Sequence, residues 1–555
     1  MTDTAPTAVP IPGQITFPDG RVELAPGTPP PSGPYANDDL LPVPAARRTW
    51  TTYTFSALWV GMAHNTASWT LASGLIAVGM DWRQAVFTIA LANLIVLAPM
   101  LLTGHAGPKY GIPFPVFARA SFGVRGANLP AVVRALVACG WFGIQTWIGG
   151  EAIYFLAGKL IGTGWTDAAH IGGHAWTMWL SFALFWALQV AIILRGMETI
   201  RRFENWAAPF VLVGAFVMLW WMSDRAGGLG PLFAQPSRLG WGGAFWKLFW
   251  PSLMGMIGFW STLSLNIPDF TRYGKSQRAQ TWGQALGLPT TMTLFAFLSV
   301  LVTSGSQAVY GEPVWDPVRL AAKTDNAAGL LYALVTVLVA TLSVNIAANL
   351  VSPAFDFSNV APGKVSFRTG ALITAVLAVL ILPWRLYSDP RGYIFTWLGL
   401  VGGLLGTVAG ILVADYWLLR RTRLDLAALY RAGGRYWYLG GWNPRAVLAF
   451  LAGGVLAVGG ADFTPLTDGR PIPALSPLAD YGWAVGLGTS LVVYLALTRL
   501  APPRPAADRS PGPGRNGRKP AGSRVLSGRM PLGRVRTRLP DHGSGHHGGG
   551  RDAHE

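Results

Sequence analysis

The chain has 555 residues, 51% hydrophobic and only 12% charged, whereas a soluble domain carries about 25% charged residues; the composition excludes an ordinary soluble enzyme or binding module and points to the membrane. A formal charge of +17 suggests nucleic acid only until its position is checked, because twelve of the 43 Lys and Arg lie between Arg499 and Glu555 and leave no basic groove elsewhere. The single cysteine, Cys139 in an apolar run, excludes a disulfide framework or a cysteine-based metal site within one chain.

In chain order, residues 1–48 are rich in Pro, Gly and Asp without periodicity, and read as a mobile cytoplasmic tail with room for a short ordered patch. They hold no charged segment followed by an apolar one, so no cleavable signal peptide is expected. From Trp50 the texture changes to that of a transporter domain over 49–500. With roughly 20 apolar residues per span, twelve transmembrane helices are predicted near 52–78, 82–103, 129–158, 176–194, 206–222, 244–266, 284–305, 328–351, 370–387, 392–417, 445–461 and 481–499. With the N-terminus inside, twenty Lys and Arg fall on the cytoplasmic face and ten on the other, the bias of a cell-membrane protein with both termini cytoplasmic. The tail at 501–555 reads as disordered, basic and attracted to lipid. Its "HGSGHH" is a weaker metal candidate than a solvated stretch.

Two spans carry interruptions. In the first, "GMAHNTASWTLASG" sets His, Asn, Thr and Ser between glycines; in the sixth, "MGMIGFWSTLSLNIPDF" combines Gly255, Gly258, Asn266 and Pro268. Irregular backbone at membrane depth survives only where it is buried in protein or lines a cavity. Breaks five spans apart predict an all-α fold of two inverted five-helix repeats, about 52–222 and 244–417, with extra helices at about 445–499 and the substrate at the repeat interface. The alternative is that the small residues only permit close helix packing.

The third span contains "CGWFGIQTWIGG". Trp141 and Gln145, four apart on a helix, share a face, and an indole plane beside a carboxamide suits the face and edge of a flat, polar, uncharged ring. Asn349 in the eighth span offers a second amide. Together they fit a nucleobase or hydantoin-like ring better than a sugar, which needs more hydroxyl partners, or an amino acid, which needs a charge clamp. Helix packing is the plainer use of the same pair.

At these residues the chain resembles the nucleobase:cation symporter-1 family of uracil, allantoin, cytosine, hydantoin and thiamine permeases. The resemblance rests on "GMAHNTASWTLASGLIAVGM", on the run from "GHAGPKYGIPFP" to "TWIGGEAIY", and on "LNIPDFTRYGKSQRAQTWGQALGLPTTM", "NIAANLVSPAFDFSN" and "GILVADYW". It implies the inverted-repeat fold and alternating access. It also implies stacking by Trp141, hydrogen bonds from Gln145, Asn349 and Asn65, and backbone and a second ring from Gly258 with Phe259 or its neighbour Trp260. Sodium-coupled relatives place the ion among positions that fall here on Gly61, His64, Ala340, Ser343 and Val344. Because Val344 lacks the hydroxyl that such a site wants, H+ is favoured over Na+ as the coupling ion.

A proton needs a titratable carrier, and an intramembrane acid is a functional candidate by default. Glu151 is that acid, unless it merely reaches solvent at the outer end of its span or pairs with Lys159; His64 is the second candidate, against a histidine bonded between helices. Asp269 reads as a local partner of Arg272 and Asp356 as a similar helix-end group, while "GHAGPKYGIPFP" reads either as a gate or as a plain surface turn. No cofactor or metal is expected. An enzyme is disfavoured because no "HExxH", "GxSxG" or Walker loop is present, and a channel because no filter motif is found. A substrate-sensing receptor on the same scaffold, or less readily a membrane enzyme, is the alternative to a carrier. The expected partners are a nucleobase or ureide and the bilayer.

Overall fold

The computed structural model describes residues 11–194, 197–324, 326–462 and 470–501, without the side chains of 197–206, 208 and 347. The basic tail therefore lies outside the described residues. The first span is two helices. α1 (Thr52–Ala63) is opened by a reciprocal cap between Thr51 and Thr54 and ends at His64; α2 (Thr66–Ala77) restarts at Asn65, which is extended (φ −144°, ψ 167°) and accepts from Ser68 N at 3.0 Å. A side-chain oxygen at this position satisfies one of the N–H groups that a helix start leaves unpaired, so Asn65 makes the restart possible inside a buried bundle.

α3 (Trp82–Gly104) follows, then two short buried helices, α4 (Ala106–Tyr110) and α5 (Phe114–Phe122). The long α6 (Asn128–Ile161) carries the Trp141 segment, and α7 (Thr163–Thr166) leads to α8 (Trp176–Leu194), α9 (Met197–Arg225) and α10 (Gly230–Ala234). α11 (Gly243–Asn266) runs unbroken past Gly255 and Gly258, and only at Ile267 does the chain turn into α12 (Pro268–Thr271). The break expected in the middle of the sixth span is absent. The glycines serve packing instead: a Cβ on Gly255 would lie 2.9 Å from the Ile394 carbonyl, and one on Gly258 would strike the Leu398 carbonyl.

The second half runs through α13 (Gln277–Tyr310), the loop helix α14 (Pro317–Ala322), α15 (Ala327–Asn349), α16 (Val351–Val360), α17 (Phe367–Leu380) and α18 (Pro383–Leu386). A π-helical turn, Gly392–Trp397, opens α19 (Leu398–Val413) and another, Ala414–Leu419, closes it; α20 (Pro444–Val458), α21 (Ser476–Ala479) and α22 (Gly482–Leu500) complete the chain. Eight of the described helices are long and apolar enough to cross a membrane, and α17 and α20 are shorter apolar helices. α6 packs on α8, α15 and α16, and α11 packs on α3 and α19; the candidate site lies where these groups face each other.

The N-terminal segment departs from the expected mobile tail. From residue 11 it is an ordered strap, with a hairpin of β1 (Gln14–Thr16) and β2 (Val22–Leu24). Arg48 is buried and donates to the carbonyls of Val22 (3.0 Å), Val43 (2.9 Å), Pro108 (3.0 Å) and Lys109 (3.1 Å). Burial holds its guanidinium at about 10, below the ordinary arginine value, and the four carbonyls offset the cost of placing the charge there. The strap also joins Leu40 to the Tyr430 hydroxyl and Asp39 to Arg272. "GHAGPKYGIPFP" is accordingly no surface turn: Tyr110 is 1% exposed, and Lys109 Nζ donates to Thr422 Oγ1 at 2.9 Å.

Candidate functional site

One cavity, with about 30 Å³ of free volume, is lined by Asn65, Trp141, Gln145, Phe259, Trp260 and Asn349, together with Met62, Thr262, Leu263, Val344 and Ala348. The lining comes from the break between α1 and α2, the middle of α6, the centre of α11 and the end of α15. None of these residues is ionisable, so the cavity presents no fixed charge to an occupant.

The aromatic walls meet near right angles. The Trp141 and Phe259 rings are 5.0 Å apart at 79°, Phe259 and Trp260 are 4.9 Å apart at 88°, and Trp260 stands on Trp59 at 5.1 Å. Both candidate rings of α11 line the cavity, which resolves the choice between Phe259 and Trp260 in favour of neither alone. Gly258 does not line it. Its Cα face is turned to α19, where Gly402 Cα lies 3.3 Å from the position of an added Cβ, so its smoothness serves helix approach and not a ligand.

The polar atoms divide into those already bonded and those left over. Asn65 is spent on the helix break: its Nδ2 donates to Met62 O (2.6 Å) and Ser68 Oγ (3.0 Å) while its Oδ1 accepts from Ser68 N. Asn349 Nδ2 donates to Asn345 Oδ1 at 3.0 Å. Asn345 in turn donates to Gln189 Oε1 (2.7 Å) and Phe142 O (3.1 Å), and Gln189 Nε2 donates to Thr146 Oγ1 (3.0 Å). This amide chain, which ties α6, α8 and α15 behind the cavity, is not among the residues expected from the sequence; the signal was there in the four-residue spacing of Asn345 from Asn349 and in a lone glutamine within the apolar α8. Gln145 Oε1, Trp260 Nε1 and Thr262 Oγ1 are buried without a partner. A buried polar atom left unpaired costs about 1–3 kcal/mol, so these three point to a ligand that bonds them.

The residues aligned with a cation site lie on α1, its break and α15. His64 is 3% exposed, its ring 5.1 Å from Phe295, with neither nitrogen bonded; the interhelical hydrogen bond considered for it is absent. Ala340 faces a neighbouring groove beside Thr66 and Trp69, whereas Val344 lines the main cavity. Gly61 lies within α1, three residues before His64, and Ser343 is buried on α15. A contact that the sequence did not suggest joins the start of α2 to α15: Thr66 and Thr341 hydroxyls are 2.9 Å apart. Among the described residues no group of His, Cys, Asp and Glu could hold a metal ion.

The acids fall elsewhere. Glu151 is 6% exposed, and its Oε1 accepts from Arg319 Nε of α14 at 3.2 Å, not from Lys159; Asp316 lies 3.9 Å from the same nitrogen. Asp269 does not pair with Arg272. It accepts from Phe114 N (2.8 Å) and Ser352 Oγ (2.9 Å) instead, because the α12 turn points it at the start of α5 and at α16. Asp356 is no local helix-end group either: it forms a buried ion pair with Arg134 of α6 at 2.6 Å.

Residues 42–486 match the family described as permeases for cytosine/purines, uracil, thiamine and allantoin. The chain belongs to the nucleobase:cation symporter-1 family. It is 42% identical over 478 residues to the allantoin permease of Bacillus subtilis, covering 84% of this chain and 94% of that one. It is 41% identical over 427 residues to the purine-uracil permease NCS1 of Arabidopsis thaliana, covering 76% of this chain and 71% of the relative. Among solved structures, Mhp1 in a closed conformation with bromovinylhydantoin bound superposes with a TM-score of 0.67 at 27% identity, over 84% of this chain and 96% of that chain. This family member is thus a multi-pass membrane permease with the Mhp1-like, mostly helical fold, and not a representative of an enzyme family.

Proposed function

We propose that this chain imports a planar, uncharged ring of the uracil, allantoin or hydantoin type by symport with a cation, and that the cation is a proton. The observation that carries the substrate class is the uncharged cavity in which Trp141, Phe259 and Gln145 converge, with Gln145 Oε1 unpaired. A ring held there gains aromatic contact on its face and hydrogen bonds on its edge. Since Asn349 Nδ2 is committed to Asn345, its oxygen is the atom left for a ligand; with Gln145 Oε1 it makes two acceptors for ring N–H groups. The relatives named for allantoin and for purines and uracil, and the hydantoin bound in Mhp1, agree with that chemistry.

The twelve-span topology, the two inverted repeats, the cell-membrane location and the cytoplasmic termini belong to the same reading, supported by the helix positions and by the charge bias along the sequence. Proton coupling is favoured by Val344, whose side chain offers no oxygen beside Ser343, and by Glu151, a buried acid that shares Arg319 with a second acid, Asp316. The test is uptake of labelled uracil, allantoin and hydantoin into proteoliposomes. A proton gradient drives uptake without sodium, and Trp141→Ala and Gln145→Ala each abolish it while eluting as folded protein. Native uptake by either variant places the site elsewhere, and strict sodium dependence rejects the proton.

A further inference from the structure

A second cavity, about 710 Å³, lies between the end of the Gly392–Leu419 helix, the 420–443 segment, the start of α20 and the end of α22. Five arginines line it, Arg420, Arg421, Arg423, Arg435 and Arg445, against two acids, Asp415 and Asp425. Both acids are engaged by groups of the wall or of their own turn. Asp415 is consumed by the wall itself: Oδ2 accepts from Arg420 Nε (2.6 Å) and Ser121 Oγ (3.1 Å), and Oδ1 accepts from the Tyr494 hydroxyl (2.8 Å). Arg420 is fixed in turn on the Ala120 carbonyl and the Tyr438 hydroxyl. Asp425 Oδ1 accepts from Ala428 N and closes its own turn.

Arg421, Arg435 and Arg445 make no ion pair among the described residues, and Arg445 Nε is buried without a partner. The backbone holds Arg421 there against its preference. Arg421 and Thr422 take consecutive left-handed conformations (φ 48° and 60°), fixed by Thr422 N on Tyr416 O (2.7 Å), Lys109 Nζ on Thr422 Oγ1 (2.9 Å) and the Tyr110 hydroxyl on Thr422 O (2.9 Å). Strained backbone that the surroundings over-determine is a mark of functional sites. Beyond residue 501 the sequence adds eleven Lys and Arg against four Asp and Glu, a further excess of positive charge.

We propose that this arginine-lined cavity is an anion site that takes a phosphate group, with the Arg421, Arg435 and Arg445 guanidinium forks as its donors. Arginine presents paired N–H groups that match phosphate oxygens, and such charge-assisted bonds are the strong ones. The phosphate has two sources, a lipid headgroup or a free phosphate compound. The neighbouring apolar surfaces of α20 and α22, exposed at Leu448, Leu451 and Val492, place acyl chains within reach. The inference is independent of the transported substrate.

The experiment measures the thermal unfolding midpoint of the purified full-length protein in two arms. One compares nanodiscs of phosphatidylcholine with nanodiscs that also contain phosphatidylglycerol; the other titrates inorganic phosphate against sodium chloride of equal ionic strength. A rise in the first arm alone identifies a headgroup site, and a rise in the second a free-phosphate site. In either case Arg421→Gln/Arg435→Gln/Arg445→Gln weakens apparent binding at least tenfold. Should the triple variant not elute as a single folded species, the exposed Arg435→Gln alone carries the comparison, with a severalfold loss expected. No rise in either arm, or an undiminished rise in the variants, overturns the proposal.

Discussion

At Gln145 stability and function pull in opposite directions, and that separates a binding residue from a packing one. Its Oε1 is buried and unpaired, which costs about 1–3 kcal/mol, so replacing the amide by an apolar group of similar shape removes a penalty. Gln145→Leu is therefore expected to melt no lower than the native protein, and up to a few degrees higher, while losing uptake. Differential scanning of the purified variant beside a transport assay checks both signs, and a large fall in the midpoint would mean that the amide holds the helices together. Val344 gives the second residue-scale test. It lines the cavity and follows Ser343 on α15, where a threonine would add the hydroxyl that the proposed sodium site lacks. Val344→Thr is expected to acquire sodium stimulation of uptake, read as the ratio of rates with sodium and with choline; a ratio that stays at one removes the argument from the missing ligand.

The joint between α6 and α16 is made by charge. Arg134 and Asp356 pair at 2.6 Å with both side chains at or below 1% exposure. Removing one partner of such a pair leaves an unpaired buried charge and costs about 3–5 kcal/mol, whereas replacing both by apolar groups is often neutral. Asp356→Leu should thus expose little folded protein in a detergent elution profile, and Arg134→Met/Asp356→Leu should restore most of it. If the double variant is as poor as the single, the pair is not the cause. Helix positions were legible because spans of apolar residues bounded by Gly, Pro and capping residues carry their own ends: Asp81 before α3, Ser276 before α13 and Asn443 before α20 each accept from the first turn. The break at His64–Asn65 was legible for the same reason, Asn65 being a helix cap set inside a span. The continuity of α11 was not, since glycine reads alike where a helix breaks and where two helices touch, and only the partner surface at Ile394 and Leu398 distinguishes them. The strap at 11–48 escaped because its stability comes from carbonyls of distant loops meeting Arg48, a long-range fit with no periodic trace.

Across the whole molecule, one helix, α6, joins the candidate ring site to the acid cluster, since it carries Trp141 and Gln145 in its middle and Glu151 further along. Glu151 meets α14 through Arg319, and α14 is capped by Asp316, whose Oδ1 accepts from Val318 N at 2.8 Å and Arg319 N at 3.3 Å. Burial raises the Asp316 carboxyl above the ordinary range, an effect that Arg319 opposes. The sign follows from linkage: a carboxyl raised in the folded state binds its proton more tightly there than when released, so docking of α14 gains as pH falls toward the ordinary Asp value of about 3.9 and is lost as pH rises through the raised one. Acid on the side of the membrane that α14 faces would then hold α14 against Glu151, and proton release would free it. Asp316→Asn, which cannot ionise yet keeps a capping oxygen, is expected to flatten the pH dependence of the uptake rate between mildly acidic and neutral pH while leaving the affinity for the ring within about twofold, because Asp316 lies outside the cavity lining. Measuring rate and half-saturation separately across that range decides it: an unchanged pH profile detaches α14 from coupling, and a large loss of affinity with an unchanged profile assigns Asp316 to the shape of the substrate site instead.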